Sequence, residues 1–181
     1  MFGPVIGGEK VDLVPPRKPE MENFVKWFQD REVTRLLGVL FPTDIKDEEE
    51  WYETLRTSKE NIVWFICLKD GKHIGSTGVH QINWINQSGI SGIVIGEKEQ
   101  WGKGFATEAI KMQTRFDFES LNLNSVHTHI AVDNIGSIRA AEKAGYTWTG
   151  VMKHYFYRQG RFHDVKVGSI LRRDWEQVHK E

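Results

Sequence analysis

The stretch Ile93-Val94-Ile95-Gly96-Glu97-Lys98-Glu99-Gln100-Trp101-Gly102-Lys103-Gly104-Phe105-Ala106-Thr107-Glu108-Ala109 passes from an apolar strand through a glycine turn into a helix. Gly102 and Gly104 let the backbone come close to a ligand, and the first turn of a helix offers free N–H groups at the positive end of its dipole. Together they predict an anion cradle over residues 102–107, sized for a pyrophosphate. The spacing departs from both common nucleotide loops: the third glycine of G-x-G-x-x-G would fall on Thr107, and G-x-x-x-x-G-K-[ST] is absent. A plain strand-to-helix turn uses the same two glycines, so the remainder of the chain must decide.

Upstream of this stretch, residues 62–69 and 73–84 are β-rich and joined by Asp70-Gly71, and a third run at 90–96 follows the turn signal Asn86-Gln87-Ser88-Gly89. They read as an antiparallel meander. Further back, residues 10–14 read as a strand after a mobile start, Met21, Phe24, Val25, Trp27 and Phe28 recur at helical spacing, and Thr43 or Asp44 caps a helix through Arg56. Downstream, the helix opened by the glycine turn buries Ala109, Ile110, Met112 and Phe116 and ends near 121–122. A strand at 126–132, a short helix at 134–143 closed by Gly145, and a hairpin of 146–157 with 162–171 complete the order. The result is an α/β (α+β) domain over 1–181, core about 10–175, with a mixed, mostly antiparallel sheet of six to seven strands. Its central strand–helix–strand crossover makes 90–96 and 126–132 parallel neighbours.

A length of 181 residues suits one domain. The net charge of −1 gives no footprint for nucleic acid, and the acidic run 47–50 reads as the solvated start of a helix. No apolar run is long enough for a membrane span and no signal-peptide pattern opens the chain, so a cytoplasmic location is expected. The single Cys67 lies in an apolar run, which predicts a buried, inert thiol, and no zinc-type spacing occurs, so no metal is expected.

Order and motifs together resemble the GNAT (N-acetyltransferase) superfamily over nearly the whole chain, Val11 to Trp175. That family's Q/R-x-x-G-x-G/A loop, which holds the pyrophosphate of acetyl-CoA, is matched by Trp101-Gly102-Lys103-Gly104-Phe105-Ala106, with Trp101 in place of Gln or Arg. The segment Asp133-Asn134-Ile135-Gly136-Ser137-Ile138-Arg139-Ala140-Ala141-Glu142-Lys143-Ala144-Gly145-Tyr146 resembles the N-x-x-S-x-R-x-x-E-K-x-G-F/Y signature of the branch containing ribosomal-protein alanine acetyltransferases. The resemblance implies acetyl-CoA as co-substrate. It places the cofactor on Ile93, Val94 and Ile95, where the two parallel strands splay and the pantetheine arm enters like an extra strand, on Trp101 through Thr107, and on Asn134, which also reads as a helix N-cap.

Acetyl transfer needs a neutral amine, a polarised thioester carbonyl and a proton for the departing thiolate. Several GNAT enzymes take that proton from a tyrosine seven residues after the asparagine; Ala141 stands there in this chain. The branch resemblance points instead to Ser137, whose other reading is a small residue that lets CoA approach. The general base is left among His80, His127, His129 and Glu97, with His127 and His129 on one face of their strand. The acceptor groove is implied between Leu36–Phe41 and Tyr155–Arg161. The expected activity is direct transfer of acetyl to a primary amine, either a protein N-terminus or a small molecule; the alternative is a catalytically inactive CoA-binding regulatory module. A nucleotide-binding domain fits the motifs poorly. Edges of the last hairpin offer a route to a homodimer.

Overall fold

The computed structural model describes residues 1–38 and 41–179. Its strands are β1 (Ile6–Gly7), β2 (Val11–Val14), β3 (Ile62–Leu68), β4 (His73–Asn83), β5 (Ser88–Ile95), β6 (Ser125–Ala131), β7 (Thr147–Arg158) and β8 (Arg161–Leu171). The helices are α1 (Met21–Gln29), α2 (Arg31–Thr34), α3 (Ile45–Thr57), α4 (Phe105–Glu119), α5 (Ile135–Lys143) and α6 (Arg172–His179).

All strands join one eight-stranded sheet in the order β1-β2-β3-β4-β5-β6-β8-β7. Every neighbouring pair is antiparallel except β5 and β6, which run parallel as the crossover predicts. The sheet therefore exceeds the expected six to seven strands. The addition is β1, and the start of the chain is not mobile: Ile6 pairs with Leu13 and Gly7 with Asp12, while the Trp64 indole donates to the Pro4 carbonyl at 2.9 Å. A two-residue strand containing a glycine carries no alternation to read.

β3 shows why the sheet is covered on both faces. Ile62, Trp64 and Ile66 point into a large core beneath α4 and α5, and Phe65, on the opposite face, packs with Met21, Phe24 and Trp27 of α1 and Val33 of α2. That alternation follows from the two-residue period of a strand. Asp44 caps α3 in a reciprocal box with Asp47, so the acidic run does start a helix, but it is not wholly solvated: Glu48 is buried, and burial raises its carboxyl. Cys67 is buried, and burial pushes its thiol up to about 11, so it stays protonated and unreactive.

Candidate active site

β5 and β6 are in register only at Ser88 with Ser125, Gly89 with Val126 and Ile90 with His127. Beyond that point β5 continues with β4 as far as Ile95, and β6 continues with β8 as far as Ala131, so the facing edges of the two strands separate without pairing. At the closed end Thr128 Oγ1 still reaches the Ser91 carbonyl at 3.4 Å. The wedge holds a cavity of about 240 Å³, walled by Ser91, Gly92 and Ile93 of β5, by Thr128 to Ala131, and by Asn134, Ser137 and Ala141 around α5. Leu36, Leu37 and Gly38 close it from the other face of the sheet. Ile93 is thus on the wall as expected; Val94 and Ile95 are paired with Ser76 and Gly75 beyond the lining.

At the end of β5 the chain turns into α4 through Gly102 and Gly104, whose φ angles are +77° and +88°. Such values belong to glycine, because a Cβ there strains the backbone. Gly104 is the N-cap and supplies no side-chain acceptor, leaving the first-turn N–H groups of Phe105, Ala106 and Thr107 to a ligand. The Trp101 indole turns back and donates to the Ile95 carbonyl at 2.7 Å. Its side chain thus ties the loop to β5, which is how an aromatic residue stands where the motif has Gln or Arg. Lys103 Nζ donates to Gln100 Oε1 at 2.9 Å within the same loop.

Asn134 Oδ1 accepts from the Ser137 backbone N–H at 3.2 Å and so caps α5, and Asn134 lines the cavity. Ser137 lines the cavity one turn on, and Arg139 lies exposed on the solvent face. Of the four base candidates only His129 lines the cavity. Glu97 is committed elsewhere: it accepts from the Trp27 indole at 2.9 Å and pairs with Lys26 and Lys72, contacts that hold its carboxyl below the usual range and make it a poor base. Burial lowers the pKa of His80. Burial, with the neighbouring His129 charge second, lowers that of His127, whose ring bonds the Ser125 hydroxyl at 3.2 Å.

The two expected specificity segments do meet. Arg158, at the end of β7, donates to the carbonyls of Leu37 at 3.4 Å and Gly38 at 3.1 Å, so the β7–β8 hairpin holds the loop after α2 over the cavity mouth. Residues 39 and 40 of the segment 36–41 lie outside the described residues. Under the hairpin His163 is buried between Asp133 Oδ2, 2.9 Å from Nδ1, and the Arg158 carbonyl, 3.2 Å from Nε2. The hairpin is thereby fastened to the residue preceding Asn134.

Residues 10–147 match the acetyltransferase (GNAT) domain family. The chain belongs to the GNAT acetyltransferase family. It is an acyltransferase, and the family's acetyl donor is acetyl-CoA. Its sequence is 27% identical to the N-acetyltransferase p20 of Bacillus licheniformis over 88% of this chain and 93% of that one. It is 35% identical to the spermidine N(1)-acetyltransferase of Vibrio cholerae over 54% of this chain and 56% of the relative. Among solved structures, a spermidine N-acetyltransferase from Vibrio cholerae in complex with CoA and spermine superposes with a TM-score of 0.86 at 23% identity, covering 93% of this chain and 99% of the other.

The GNAT co-substrate suits what this chain offers: an uncapped helix start behind positive-φ glycines for its phosphates, and two unpaired strand edges for an extended amide chain. Ser91 and Thr128 are wall residues that the sequence did not single out; small polar residues inside apolar strands carry no signal until the partner strand is known.

Proposed function

We propose that this protein transfers the acetyl group of acetyl-CoA directly to a primary amine that enters from the α2-loop and hairpin side. The observation that carries the proposal is the parting of β5 and β6 after three pairs, beside an anion cradle at the end of β5. Acetyl-CoA supplies the thioester. The first-turn N–H groups of α4 bind its anionic end, the Asn134 amide and the wedge edges orient its arm, His129 takes the amine proton, and Ser137 holds the proton that the leaving sulfur receives. Attack is direct, since the only cysteine is the buried Cys67.

For the acceptor, polyamines are the first class to test, because the Vibrio cholerae relative named above acts on spermidine; a peptide N-terminal amine is the competing class. Calorimetry with acetyl-CoA on the intact protein and on Gly104→Asp and Gly104→Ala tests the cradle. Both variants meet the same left-handed φ, so the extra loss in the aspartate variant reports charge at the cradle. Thiol release with spermidine, spermine and short peptides then ranks acceptors. A folded protein that binds no acetyl-CoA overturns the proposal.

A further inference from the structure

The strand pair at the start of the chain brings a cation to the cradle that no motif contains. A Cβ built on Gly104 would meet a single atom of another segment within 4 Å, the Lys10 Nζ at 3.8 Å. Lys10 is far from this loop in sequence, and its placement is built rather than incidental. Glu108, in the first turn of α4, uses one carboxylate oxygen to accept from the backbone N–H of Glu9 at 2.6 Å and of Lys10 at 2.9 Å. The turn between β1 and β2 is also closed by Gly8 N–H to the Val11 carbonyl at 3.0 Å and held by Lys69 Nζ on the Gly8 carbonyl at 2.8 Å. Gly8 has to be glycine for this seat: a Cβ would come within 2.4 Å of Glu108 Oε1, 2.5 Å of the Val11 carbonyl and 2.7 Å of Met112 Sδ. The turn therefore lies flat against α4, with the Lys10 side chain directed along the helix start.

The charged side chains around it are already engaged. Glu108 is occupied by two backbone donors, Lys103 by Gln100, and Lys69 by Asp12 and Gly8. Among the described residues no hydrogen bond or ion pair engages Lys10 Nζ, although the side chain sits beside an uncapped helix N-terminus that already repels cations. Glu108 places a negative charge at the same helix start, so the ammonium is tolerated there in the free protein, and a phosphate lying against the first-turn N–H groups would accept a charge-assisted hydrogen bond from Lys10.

We propose that Lys10 binds the pyrophosphate of acetyl-CoA, acting with the α4 N–H groups as the second arm of the cradle. The inference rests on acetyl-CoA being the co-substrate. A 3′-phosphate is the other anion on the same molecule, and Lys10 is assigned to the pyrophosphate because its ammonium lies against Gly104, the cap residue of the N–H groups that the motif aims at that group.

The test is calorimetric titration of wild type, Lys10→Ala, Lys10→Arg and, as a charge-loss control, Lys111→Ala, with CoA and with 3′-dephospho-CoA at low and high salt. Lys10→Ala is expected to weaken both ligands about five- to tenfold at low ionic strength, with the penalty shrinking as salt rises. Lys10→Arg and Lys111→Ala should stay near wild type. The melting temperature of Lys10→Ala should be unchanged, since among the described residues no hydrogen bond or ion pair engages the ammonium. Equal affinity for wild type and Lys10→Ala, a penalty that vanishes with 3′-dephospho-CoA, or a lowered melting temperature overturns the assignment while leaving the cofactor reading in place. Failure of wild type to bind CoA overturns both.

Discussion

Asp117 lies on α4 with its carboxyl buried under the sheet, bonded through Oδ2 to Gln113 Nε2 at 3.0 Å, while Oδ1 has no partner. Burial, opposed by the Gln113 hydrogen bond, pushes the carboxyl up to about 7. An unfolded chain gives an aspartate its ordinary value, about 3.9. Between those values the folded state binds the proton and the unfolded state does not, so stability falls as pH rises through this window and levels off above it. Three pH units at 1.36 kcal/mol each set the loss at about 4 kcal/mol by pH 8. Asn resembles the neutral acid and keeps an acceptor for Gln113, so Asp117→Asn should match the wild type near pH 5 and exceed it at pH 8. About 2.7 kcal/mol of the loss falls between pH 5 and the folded value of about 7, so the gain at pH 8 is about 2.7 kcal/mol, or roughly 8 °C in melting temperature for a chain of this size. Urea unfolding and thermal melts of both proteins from pH 5 to pH 8.5 supply the comparison. Parallel curves at every pH would refute the argument, for they would mean that the buried carboxylate is ionised throughout.

Three further outcomes follow from the site. Ser137→Ala should lower kcat by about ten- to a hundredfold with acetyl-CoA affinity unchanged; full turnover by this variant would remove the hydroxyl from the chemistry and leave Ser137 as a small residue at the wall. His129→Gln should lower turnover near neutral pH, and more for amines of high pKa than for α-amines, as read from rates across a series of acceptors; an equal effect on all of them would argue against proton removal by this side chain. Arg158→Ala frees the Leu37 and Gly38 carbonyls, so KM for the amine should rise severalfold while acetyl-CoA binding, measured by calorimetry, stays as it was.

The meander, the glycine turn, the crossover and the cap of α5 were legible because each rests on local chemistry: Asp70-Gly71 at a hairpin, two glycines before a helix, an asparagine whose side chain closes the first turn. What stayed hidden depends on partners distant in the chain. Ile6–Gly7 becomes a strand only because β2 is there to pair with it, and α2, four residues long, exists because Asp30 caps it through the Glu32 N–H. The sequence puts Ala109, Ile110, Met112 and Phe116 on the buried side of α4; the first two are buried and the other two only partly, while Gln113, Thr114 and Asp117 are fully buried, Gln113 accepting from Thr77 Oγ1 at 2.5 Å and donating to Ser91 Oγ at 3.2 Å across the sheet. A helix pattern reports polarity, whereas burial depends on what packs against that side. Trp101 shows the same limit at the site, since nothing local says that its indole seeks the end of β5 instead of a ligand.

The three register pairs between β5 and β6 have a mechanical meaning. They are the spine along which two leaves of sheet, β1 to β5 on one side and β6, β8 and β7 on the other, are bound together. A guest lying along the open edges would act as a stitch further up the page, adding to the coupling that the spine and the core shared by both leaves already provide. Amide exchange at residues 91–95 and 128–131 should therefore slow together on binding, and melting should gain cooperativity along with the mass-action stabilisation of about 2.7 kcal/mol at a hundredfold excess over Kd. In the proposed binding mode the co-substrate would complete the sheet as well as supply the reaction.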